Sequence, residues 1–592
     1  MNIRKCTSKI HKIKWLFTIF LVMLLYVWVP GQYMLLKNDN DIIPFKDLSD
    51  LSIQVIAIGE RLDANLASSL ISRYKEVEHV ISFSEFEPWD IPLLYTHNVC
   101  FIRYSDTSVF RSRYDDLVEI PGLTVIFTGS KPLDHPEIST ILYSSTDQLE
   151  DLDRVVQSIF GATPFMYKLS QSFGDFPPGS GLETRGGIRL GYSPDGIEGI
   201  NLKQLSDSLD LIIGQGLDSG AYPGAQVLVA YQGSVIFEKA YGFHSYDSLR
   251  PVRLTDVYDL ASITKVSTAI PSLMWLIDQG RLSLDDPLCK HLPYFCKSDK
   301  GELTFRRMLA HYARLMPYIV YWQQAVRKNG KFKFRTFRTK SHANYPVPIT
   351  DSLFMHKKFK RRVYRAVRKS DLSPTFQYVY SCLSFQLYPD IVSRLTHTSI
   401  DTFLYREFYG PLGANRLLYN PIERLPLEEI IPAEIDTSFR RQLVHGRVHD
   451  EASAVLGGIS CNAGLFGNAR DLAKLSQMFL NKGEYGGTRF LSPYVVDEFT
   501  RCQYCEEGVR RGLGFDKPLI EGEEGGHYAS SLASAASYGH SGFTGTFFWV
   551  DPEYDMIFIL LTNRVHPTRA NGKIYQLDIR ERAHSAVYTA ME

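Results

Sequence analysis

The sequence has no excess of either charge, because 65 Lys and Arg residues balance 65 Asp and Glu residues. Overall charge therefore gives no indication of nucleic acid or of a polyanionic substrate as a partner. Cysteine is scarce, at 8 of 592 residues, and Cys502 and Cys505 form the only C-x-x-C pair. A zinc site would need a second pair or histidines at matching spacing, so no zinc site is predicted. If the chain is exported, these two thiols can oxidise.

A charge-free segment lies near the N terminus. Residues 15–36 carry no charged side chain, and five Lys or Arg residues precede them. A helix of this length spans about 33 Å, enough for a bilayer core of about 30 Å. The positive-inside rule then predicts a cytoplasmic tip and membrane anchor over residues 1–45, with the bulk of the chain in the bacterial periplasm or cell envelope. The alternative is a cleaved signal peptide, but no small-x-small cleavage site follows the segment.

The length of the chain indicates more than one domain. Apolar, β-branched runs at residues 52–59, 98–104 and 123–129 alternate with helical patterns. This alternation predicts an α/β domain over residues 46–180, with a mostly parallel sheet covered on both faces. A stretch rich in Gly and Pro near residue 180 predicts a linker, residues 181–200.

The remaining residues, 201–592, predict a domain of a different class. Two hairpin patterns stand near its ends, at residues 225–243 and 545–563, and mostly helical patterns such as residues 264–282 lie between them. Distant hairpins with helices between them predict one antiparallel sheet flanked by helices. The whole chain is thus expected to be an α/β and α+β multidomain protein, with the active site at the seam between sheet and helices.

The stretch YDLASITKV, residues 258–266, places Ser262 three residues before Lys265. On a helix, positions i and i+3 share a face, so the amine can lie beside the hydroxyl. A serine becomes a nucleophile when a base removes its proton, and the first turn of a helix favours developing negative charge. The same S-x-x-K string also occurs at Ser72 to Lys75. The pattern therefore needs further residues to indicate a site.

Further residues are present, in order. YVYSCLSFQL (378–387) contains Tyr380, and GHSGFTG (539–545) contains His540, Ser541 and Gly542. With the S-x-x-K string, these resemble the signatures of the serine hydrolases related to class C β-lactamases and penicillin-binding proteins. Further similar segments, from YPGAQVLVAYQG to GHSGFTGTFFWVDPEYDMIFILLTNRVHP, extend the resemblance over about 380 residues.

The resemblance implies roles for these residues. Ser262 is expected to be the acylated nucleophile, Lys265 its proton partner and Tyr380 the general base. The third signature would bind substrate, and the backbone N–H groups of Ser262 and of a residue on the following strand, near Phe543, would form the oxyanion hole. The resemblance implies a small-molecule or peptide substrate, and no metal, organic cofactor or nucleic acid. The oligomeric state stays open.

The sequence departs from the family pattern at several positions. Ala313 and Arg314 stand where relatives have Ser and Gly, Cys382 stands where Asn or Asp is usual, and Cys461 replaces a common glycine. A glycine after the nucleophile helix often supports a tight turn that arginine would strain. Two hypotheses therefore stay open: a membrane-anchored serine hydrolase acting through an acyl-enzyme on an amide, β-lactam or ester, with cell-wall material favoured by association, and an inactive binding or scaffolding protein of the envelope.

Two other segments carry weaker indications. Residues 155–174 and those that follow resemble the C-terminal α/β domain of family 3 glycosidases. Longer relatives carry a barrel before it that supplies the glycosidase nucleophile, and no room remains for one here, so glycosidase activity is not expected. Residues 326–369 are basic and interleaved with aromatics, a composition that can meet phosphates or an anionic membrane. A solvated surface insertion is the plainer expectation, because no nucleic-acid motif accompanies it.

Overall fold

The computed structural model describes residues 33–59, 64–84, 89–105, 107–520, 523 and 527–591. Within these, residues 33–45 and 51–186 form one compact unit, and residues 46–50 and 187–591 form a second. The domain boundaries expected from the sequence, at residues 45, 180 and 200, remain predictions.

The first unit is built around a six-stranded sheet. Its elements are β1 (Tyr33–Asn38), β2 (Ile53–Ile58), α1 (Ala64–Ile71), β3 (Val77–Phe83), β4 (His97–Ile102), α2 (Thr107–Arg111), β5 (Leu123–Thr128), β6 (Thr140–Ser144) and α3 (Leu149–Ile159). The strand order is β1-β6-β5-β4-β2-β3, and only β1 runs antiparallel to its neighbour. Every residue of β2 and β5 is buried, as in a sheet covered on both faces. The expected mostly parallel sheet is confirmed.

The predicted membrane span is wrong at its C-terminal end. Residues 33–36 belong to β1, which pairs with β6, and Met34, Leu35 and Leu36 are buried in this unit. A short apolar run without charges is equally typical of a buried strand, and composition alone does not separate the two. The rest of the span, residues 15–32, lies outside the described residues. No helix in the described part of the chain is long and apolar enough to cross a bilayer.

The second unit contains more numerous, shorter elements. Its strands are β7 (Gly191–Tyr192), β8 (Gly224–Tyr231), β9 (Ser234–Gly242), β10 (Tyr258–Asp259), β11 (Phe337–Arg338), β12 (Val347–Thr350), β13 (Leu353–Met355), β14 (Leu418–Tyr419), β15 (Ile435–Asp436), β16 (Gln442–Leu443), β17 (Leu465–Gly467), β18 (Glu484–Tyr485), β19 (Thr488–Arg489), β20 (Tyr538–Ser541), β21 (Phe547–Asp551) and β22 (Met556–Thr562). Its helices are α4 (Leu202–Asp218), α5 (Ile270–Asp278), α6 (Leu288–His291), α7 (Phe305–Leu309), α8 (Lys360–Lys369), α9 (Tyr388–Thr396), α10 (Ile400–Leu404), α11 (Gly410–Leu412), α12 (Glu451–Ala454), α13 (Ala469–Leu480), α14 (Pro493–Thr500), α15 (Lys573–Gln576) and α16 (Ile579–Thr589).

The main sheet of this unit joins distant parts of the chain. Its order is β20-β21-β22-β8-β9-β7, with the β8–β9 and β21–β22 hairpins side by side and antiparallel throughout except for β7. Helices α4 and α16 pack together against it, with Leu209 and Val587 in one core with Val227 and Phe558. The antiparallel sheet flanked by helices, predicted from the two hairpin patterns, is confirmed.

Two features of this architecture place the S-x-x-K stretch beside the sheet. Strand β10 pairs with β17 and leads directly to Ser262. A π-helical turn, Lys265–Ala269, then continues into α5. Such turns occur often at functional sites because they redirect side chains on one helical face. Strand β20, which carries the third signature, lies at the edge of the main sheet.

Candidate active site

The backbone before Ser262 is strained and held by a buried carboxylate. Ala261 has a φ of +47°, a left-handed conformation that is uncommon for residues other than glycine. Its N–H donates to Asp259 Oδ1 at 2.8 Å, and the N–H of His449 donates to Asp259 Oδ2 at 2.7 Å. Asp259 is thus a positioning residue for the turn that presents Ser262.

Lys265 lies directly against Ser262. Its Nζ donates to Ser262 Oγ at 3.0 Å and to the backbone oxygen of Asn462 at 3.0 Å, and its side chain is fully buried. Burial by itself lowers the pKa of Lys265, but the acidic groups of Cys382 and Tyr380 beside it outweigh burial, so its pKa is raised. Lys265 is therefore an ammonium that donates to Ser262, and it is not set up as a neutral base.

The carbonyl that accepts from Lys265 belongs to a fixed polar network. Asn462 Nδ2 donates to Asp450 Oδ1 at 3.0 Å, while Ser453 Oγ and Ser460 Oγ donate to Asn462 Oδ1 at 3.1 and 2.7 Å. Asp450 also caps α12, accepting from the N–H of Ser453. A fully bonded buried network of this kind holds its members rigidly. The stretch that contains Asn462 matches the family pattern in sequence, but no residue of it stood out as functional.

Tyr380 completes the group expected from the sequence. Its ring lies 4.9 Å from Lys265 Nζ, and its phenol interacts with that ammonium. The ring packs between two imidazoles, 4.6 Å from that of His311 and 6.0 Å from that of His540. The hydroxyl, amine and phenol predicted from three distant motifs thus line one site.

The loop that carries Tyr380 is fastened to His311. The N–H of Ser381 donates to His311 Nδ1 at 3.1 Å, and the N–H of Val379 donates to the His311 backbone oxygen at 3.0 Å. Ser381 Oγ donates to the Met316 oxygen at 2.6 Å, so this serine has a structural role. Burial, with the charges of Arg511 and Lys265, holds the pKa of His311 well below its usual range. Sequence analysis quoted His311 within LAHYARL without giving it a role.

The third signature lies on β20 and its following turn. His540 Nδ1 donates to the Ser541 oxygen at 2.7 Å, and its Nε2 is buried without a partner among the described residues. Burial and the charges of Arg511 and Lys265 lower the pKa of His540 to about 3, so its ring is neutral. At Gly542 an added Cβ would lie 2.0 Å from Thr546 Oγ1 and 2.7 Å from the Leu260 oxygen. This close approach of the turn to the nucleophile strand requires glycine.

Two departures from the family pattern now have a structural description. Arg314 adopts a φ of +63°, the conformation for which relatives use glycine. Its backbone oxygen accepts from the N–H of Ser373 at 2.8 Å, its Nε donates to the Ser373 oxygen, and its guanidinium lies 5.4 Å from the Phe376 ring. These contacts offset the expected strain, and Ala313 beside it is buried.

The four cysteines named in the sequence analysis lie in three different environments. The Cys382 thiol lies beside Lys265, and although the ammonium favours the thiolate, burial raises its pKa, so it remains a thiol. Cys461 is fully buried, which raises its pKa to about 12. Cys502 and Cys505, left open as a pair by the sequence, form a disulfide with a Cα–Cα distance of 5.9 Å.

A cavity of about 430 Å³ opens over Ser262 and is lined also by Tyr380, His540 and Phe543. In the described part of the chain, the backbone N–H groups of Ser262 and Phe543 have no hydrogen-bond partner. Two unpaired N–H groups beside a serine hydroxyl are what a developing oxyanion needs. Among the same residues, no group of three or more His, Cys, Asp or Glu side chains could hold a metal ion.

Arg511 is one of three arginines that line this cavity, with Arg510 and Arg580, and no sequence motif indicated it. Its Nη1 pairs with Asp516 Oδ1 at 2.8 Å, and Tyr528 Oη donates to the other carboxylate oxygen. Its Nε and Nη2 are buried and find no acceptor among the described residues. Two donors of a cavity-lining arginine are therefore buried and unsatisfied in this structure.

Comparison with known proteins agrees with this geometry. The Beta-lactamase family model matches residues 209–581, more than half of the chain. A protein of Escherichia coli O157:H7 named "Putative D-alanyl-D-alanine carboxypeptidase" is 29% identical over 395 residues, 62% of this chain and 84% of that protein. A protein of the same name from Salmonella enteritidis is 28% identical over 412 residues, covering 64% of this chain and 87% of its own length.

Solved structures with a related fold include a penicillin-binding protein homologue from Caulobacter crescentus, with a TM-score of 0.45 at 18% identity over 66% of this chain and 100% of that one. A class C β-lactamase gives a TM-score of 0.48 at 12% identity, covering 67% of this chain and 99% of its own. At these TM-scores and identities, the solved structures add nothing to the family match. The family match and the relatives named as carboxypeptidases show that the chain belongs to the beta-lactamase family and is a serine hydrolase.

Proposed function

We propose that the protein is a D,D-carboxypeptidase-type hydrolase of the cell envelope, in which Ser262 is acylated by the substrate. The observation that carries the proposal is the 3.0 Å hydrogen bond from the buried Lys265 ammonium to Ser262 Oγ, with Tyr380 beside the same ammonium. A nucleophile and its proton-handling groups within hydrogen-bond reach are the requirement of covalent catalysis.

In the proposed reaction, Tyr380 acts in its phenolate form, which pairs with the Lys265 ammonium. Ser262 Oγ attacks the carbonyl carbon of the substrate while its proton passes to the Tyr380 oxygen, so that Tyr380 becomes a neutral phenol and Lys265 stays protonated. The oxyanion of the tetrahedral intermediate accepts from the N–H groups of Ser262 and Phe543. Tyr380 then protonates the leaving amine, and water hydrolyses the acyl-enzyme by the same route in reverse.

The substrate side of the proposal is supported by Arg511. A D,D-carboxypeptidase substrate ends in a free carboxylate, and the unsatisfied Nε and Nη2 of Arg511 lie at the cavity that contains Ser262. Carboxylate and guanidinium match each other in a two-bond geometry that an ester or an amidated end cannot reproduce. His540 and Ser541 would hold the rest of the substrate along the edge of the sheet.

Location at the envelope is a further part of the proposal. It is supported by the charge-free run before residue 33, which agrees with an anchor ending earlier than residue 36. The Cys502–Cys505 disulfide also supports it, because such bonds persist in oxidising compartments. The likeness of the first unit to a family 3 glycosidase domain stays an expectation from its sequence, with no glycosidase activity expected of it.

The test is a substrate panel. Hydrolysis of a peptide ending in D-Ala-D-Ala is compared with that of the same peptide with an amidated C terminus, of nitrocefin and of a short-chain ester. We expect the free-acid peptide to be preferred over the amide and this preference to disappear in Arg511→Ala. Because that change leaves Asp516 unpaired, Arg511→Lys serves as the second variant, keeping the charge and losing the two-bond geometry.

Equal rates on the acid and amide peptides would overturn the substrate assignment and leave the hydrolase chemistry standing. Absence of turnover on all four compounds would favour the inactive envelope-binding protein instead. The observation that favours an inactive protein is Cys382. Its thiol lies next to Lys265, at a position where the family pattern has Asn or Asp.

A further inference from the structure

The basic insertion, residues 326–369, is out of balance with the rest of the chain. Fifteen of its 44 residues are Lys or Arg and one, Asp351, is acidic, whereas the whole sequence is neutral. All 44 residues are described, and only Lys360 forms an ion pair, with Asp390 Oδ1 at 2.9 Å. Closely spaced like charges destabilise the folded state, so the uncompensated charge needs a reason.

The basic insertion is folded. Strands β11, β12 and β13 form a small sheet, and Val363 and Val367 of α8 are buried. The ring of Phe337 lies 5.1 Å from that of Phe359 and 5.2 Å from that of Phe439, which joins the basic insertion to the rest of the second unit. The backbone positions that carry its cations therefore belong to a folded segment.

Helix α8 gathers three of these cations at one cavity. Arg361, Arg365 and Arg368 follow the i, i+4, i+7 spacing of a single helix face, and they line a cavity of about 270 Å³ together with Tyr294 and Tyr364. Arg368 Nη1 donates to the Tyr294 backbone oxygen at 3.3 Å.

Nothing in the described part of the chain accepts from the guanidinium groups of Arg361 and Arg365. The Tyr294 ring stacks on that of Tyr364 at 6.2 Å. The Tyr294 hydroxyl is buried and has no hydrogen-bond partner among the described residues. Two unpartnered guanidiniums and an unpartnered phenol at one cavity leave several donors without acceptors. An anionic group rich in acceptor oxygens would satisfy all of these donors together.

We propose that this cavity binds a phosphate group, as a monoester or diester. Guanidinium groups bind phosphate in two-bond geometry, and a phosphate supplies three or more acceptor oxygens to donors that converge from different directions. The cavity accommodates one such group, and the surrounding lysines and arginines add attraction for a second charge nearby. The phosphate comes either from a soluble phosphate ester or from the headgroup of an anionic lipid, and the two sources differ in what else they present.

The test uses isothermal titration calorimetry of the full chain with sn-glycerol 3-phosphate at low ionic strength. We expect saturable binding that weakens at least about 10-fold in R361A/R365A, because two charge-assisted contacts are lost. Tyr294→Phe keeps the ring stacking and removes only the hydroxyl, and we expect a smaller loss. R327A/K340A removes two cations of the same insertion that do not line the cavity and should change the affinity less than about 2-fold.

Absence of saturable binding to the wild-type chain would overturn the proposal. Equal weakening by R361A/R365A and R327A/K340A would also overturn it, since it would mean diffuse charge attraction without a site. Hydrolysis of the compounds used to test the active site should be the same in wild type and R361A/R365A. A failure of the phosphate-site proposal can therefore be told apart from a failure of the proposed hydrolase function of Ser262.

A second arm separates the sources. Co-sedimentation is compared for vesicles of phosphatidylcholine alone and with phosphatidylglycerol, for wild type and R361A/R365A. Phosphatidylglycerol-dependent binding that R361A/R365A loses and sn-glycerol 3-phosphate competes would assign the lipid headgroup. Saturable binding of sn-glycerol 3-phosphate with no phosphatidylglycerol dependence would assign a soluble phosphate ester.

Discussion

The two S-x-x-K strings of this chain have the same spacing and different surroundings. Both lysines are buried, Lys265 fully and Lys75 with 5% exposure. Ser72 and Lys75 follow the last residue of α1, where the N–H of Ser72 donates to the Ser68 oxygen at 2.9 Å. Ser262 instead precedes a helix, and Lys265 begins its π-helical turn.

The two strings show that the same spacing and a buried lysine can stand in two different structural settings. The C-terminal end of a helix carries partial negative charge and opposes an oxyanion, whereas the N-terminal end favours one. Lys265, which donates to Ser262, also contacts groups from far along the sequence, the Asn462 carbonyl and the Tyr380 ring. Ser262 itself lines an open cavity. Chemistry at a short motif is thus decided by the fold around it.

The largest expected effect comes from removing each serine in turn. Ser262→Ala should lower kcat for the best substrate of the panel by more than about 10⁴-fold, because no acyl-enzyme can form. Ser72→Ala should leave kcat unchanged, since that hydroxyl ends a helix in the first unit. A fall in kcat for Ser72→Ala, or substantial turnover by folded Ser262→Ala, would contradict the expected difference between the two serines.

Replacing the lysines tests whether burial or placement matters. Lys265→Met should lower kcat by about 10²- to 10³-fold, because Ser262 and Tyr380 lose the cation that orients one and pairs with charge on the other. Lys75→Met should have no effect on kcat. Circular dichroism and thermal unfolding of both variants control for folding, and equal loss of activity in the two would contradict the account.

Tyr380→Phe removes the third group and little else. The aromatic packing on His311 and His540 is kept, so stability should change by less than about 1 kcal/mol. We expect kcat to fall by about 10²-fold with KM changed less, as for loss of a general base. A variant that keeps wild-type kcat would remove Tyr380 from the mechanism and leave Lys265 to be explained without it.

The smallest effect concerns the pH dependence of stability around Ser262. The folded pKa of His540 is about 3 and that of His311 is also depressed by burial, whereas both titrate near 6.5 when unfolded. Between these values the unfolded chain binds more protons, so these two histidines make stability fall as pH drops below 6.5 and add no pH dependence above it. Each histidine contributes about 1.4 kcal/mol per pH unit in that range.

The urea midpoint for loss of Ser262 labelling, measured between pH 7.5 and 5, checks this expectation. His540→Gln should reduce the slope of the urea midpoint against pH by the contribution of one histidine. A midpoint independent of pH would show that these rings are solvated and protonated in the folded protein. Above pH 5 the carboxylate of Glu434, with a folded pKa of about 2, does not interfere.

The features predicted from the sequence are those that depend on short-range patterns of residues. The runs at residues 52–59, 98–104 and 123–129 are strands of a mostly parallel sheet because continuous β-branched stretches need cover on both faces. Ser262, Lys265 and Tyr380 were chosen by motif order; the fold brings them together, and their catalytic roles stay predictions. Residues 33–36 were misassigned, since an apolar strand and the end of an apolar helix have the same composition.

Other parts of the site depend on contacts that no local pattern encodes. Asn462 acts through its backbone oxygen, which leaves no residue-type signal. Arg511 stands out only when its Nε and Nη2 are seen to be buried and unpaired. Arg314 was predicted to strain its turn, and the left-handed φ agrees, but the offsetting bonds to Ser373 come from a segment 59 residues away.

The central claim is that Ser262, and not Ser72, forms a covalent acyl-type adduct. The most direct measurement is intact-mass analysis and peptide mapping after treatment with a fluorescent penicillin and, separately, a fluorophosphonate. The account predicts one adduct per chain, on Ser262, and none in Ser262→Ala. No adduct under conditions that label an active member of the family, or an adduct at Ser72, would contradict it.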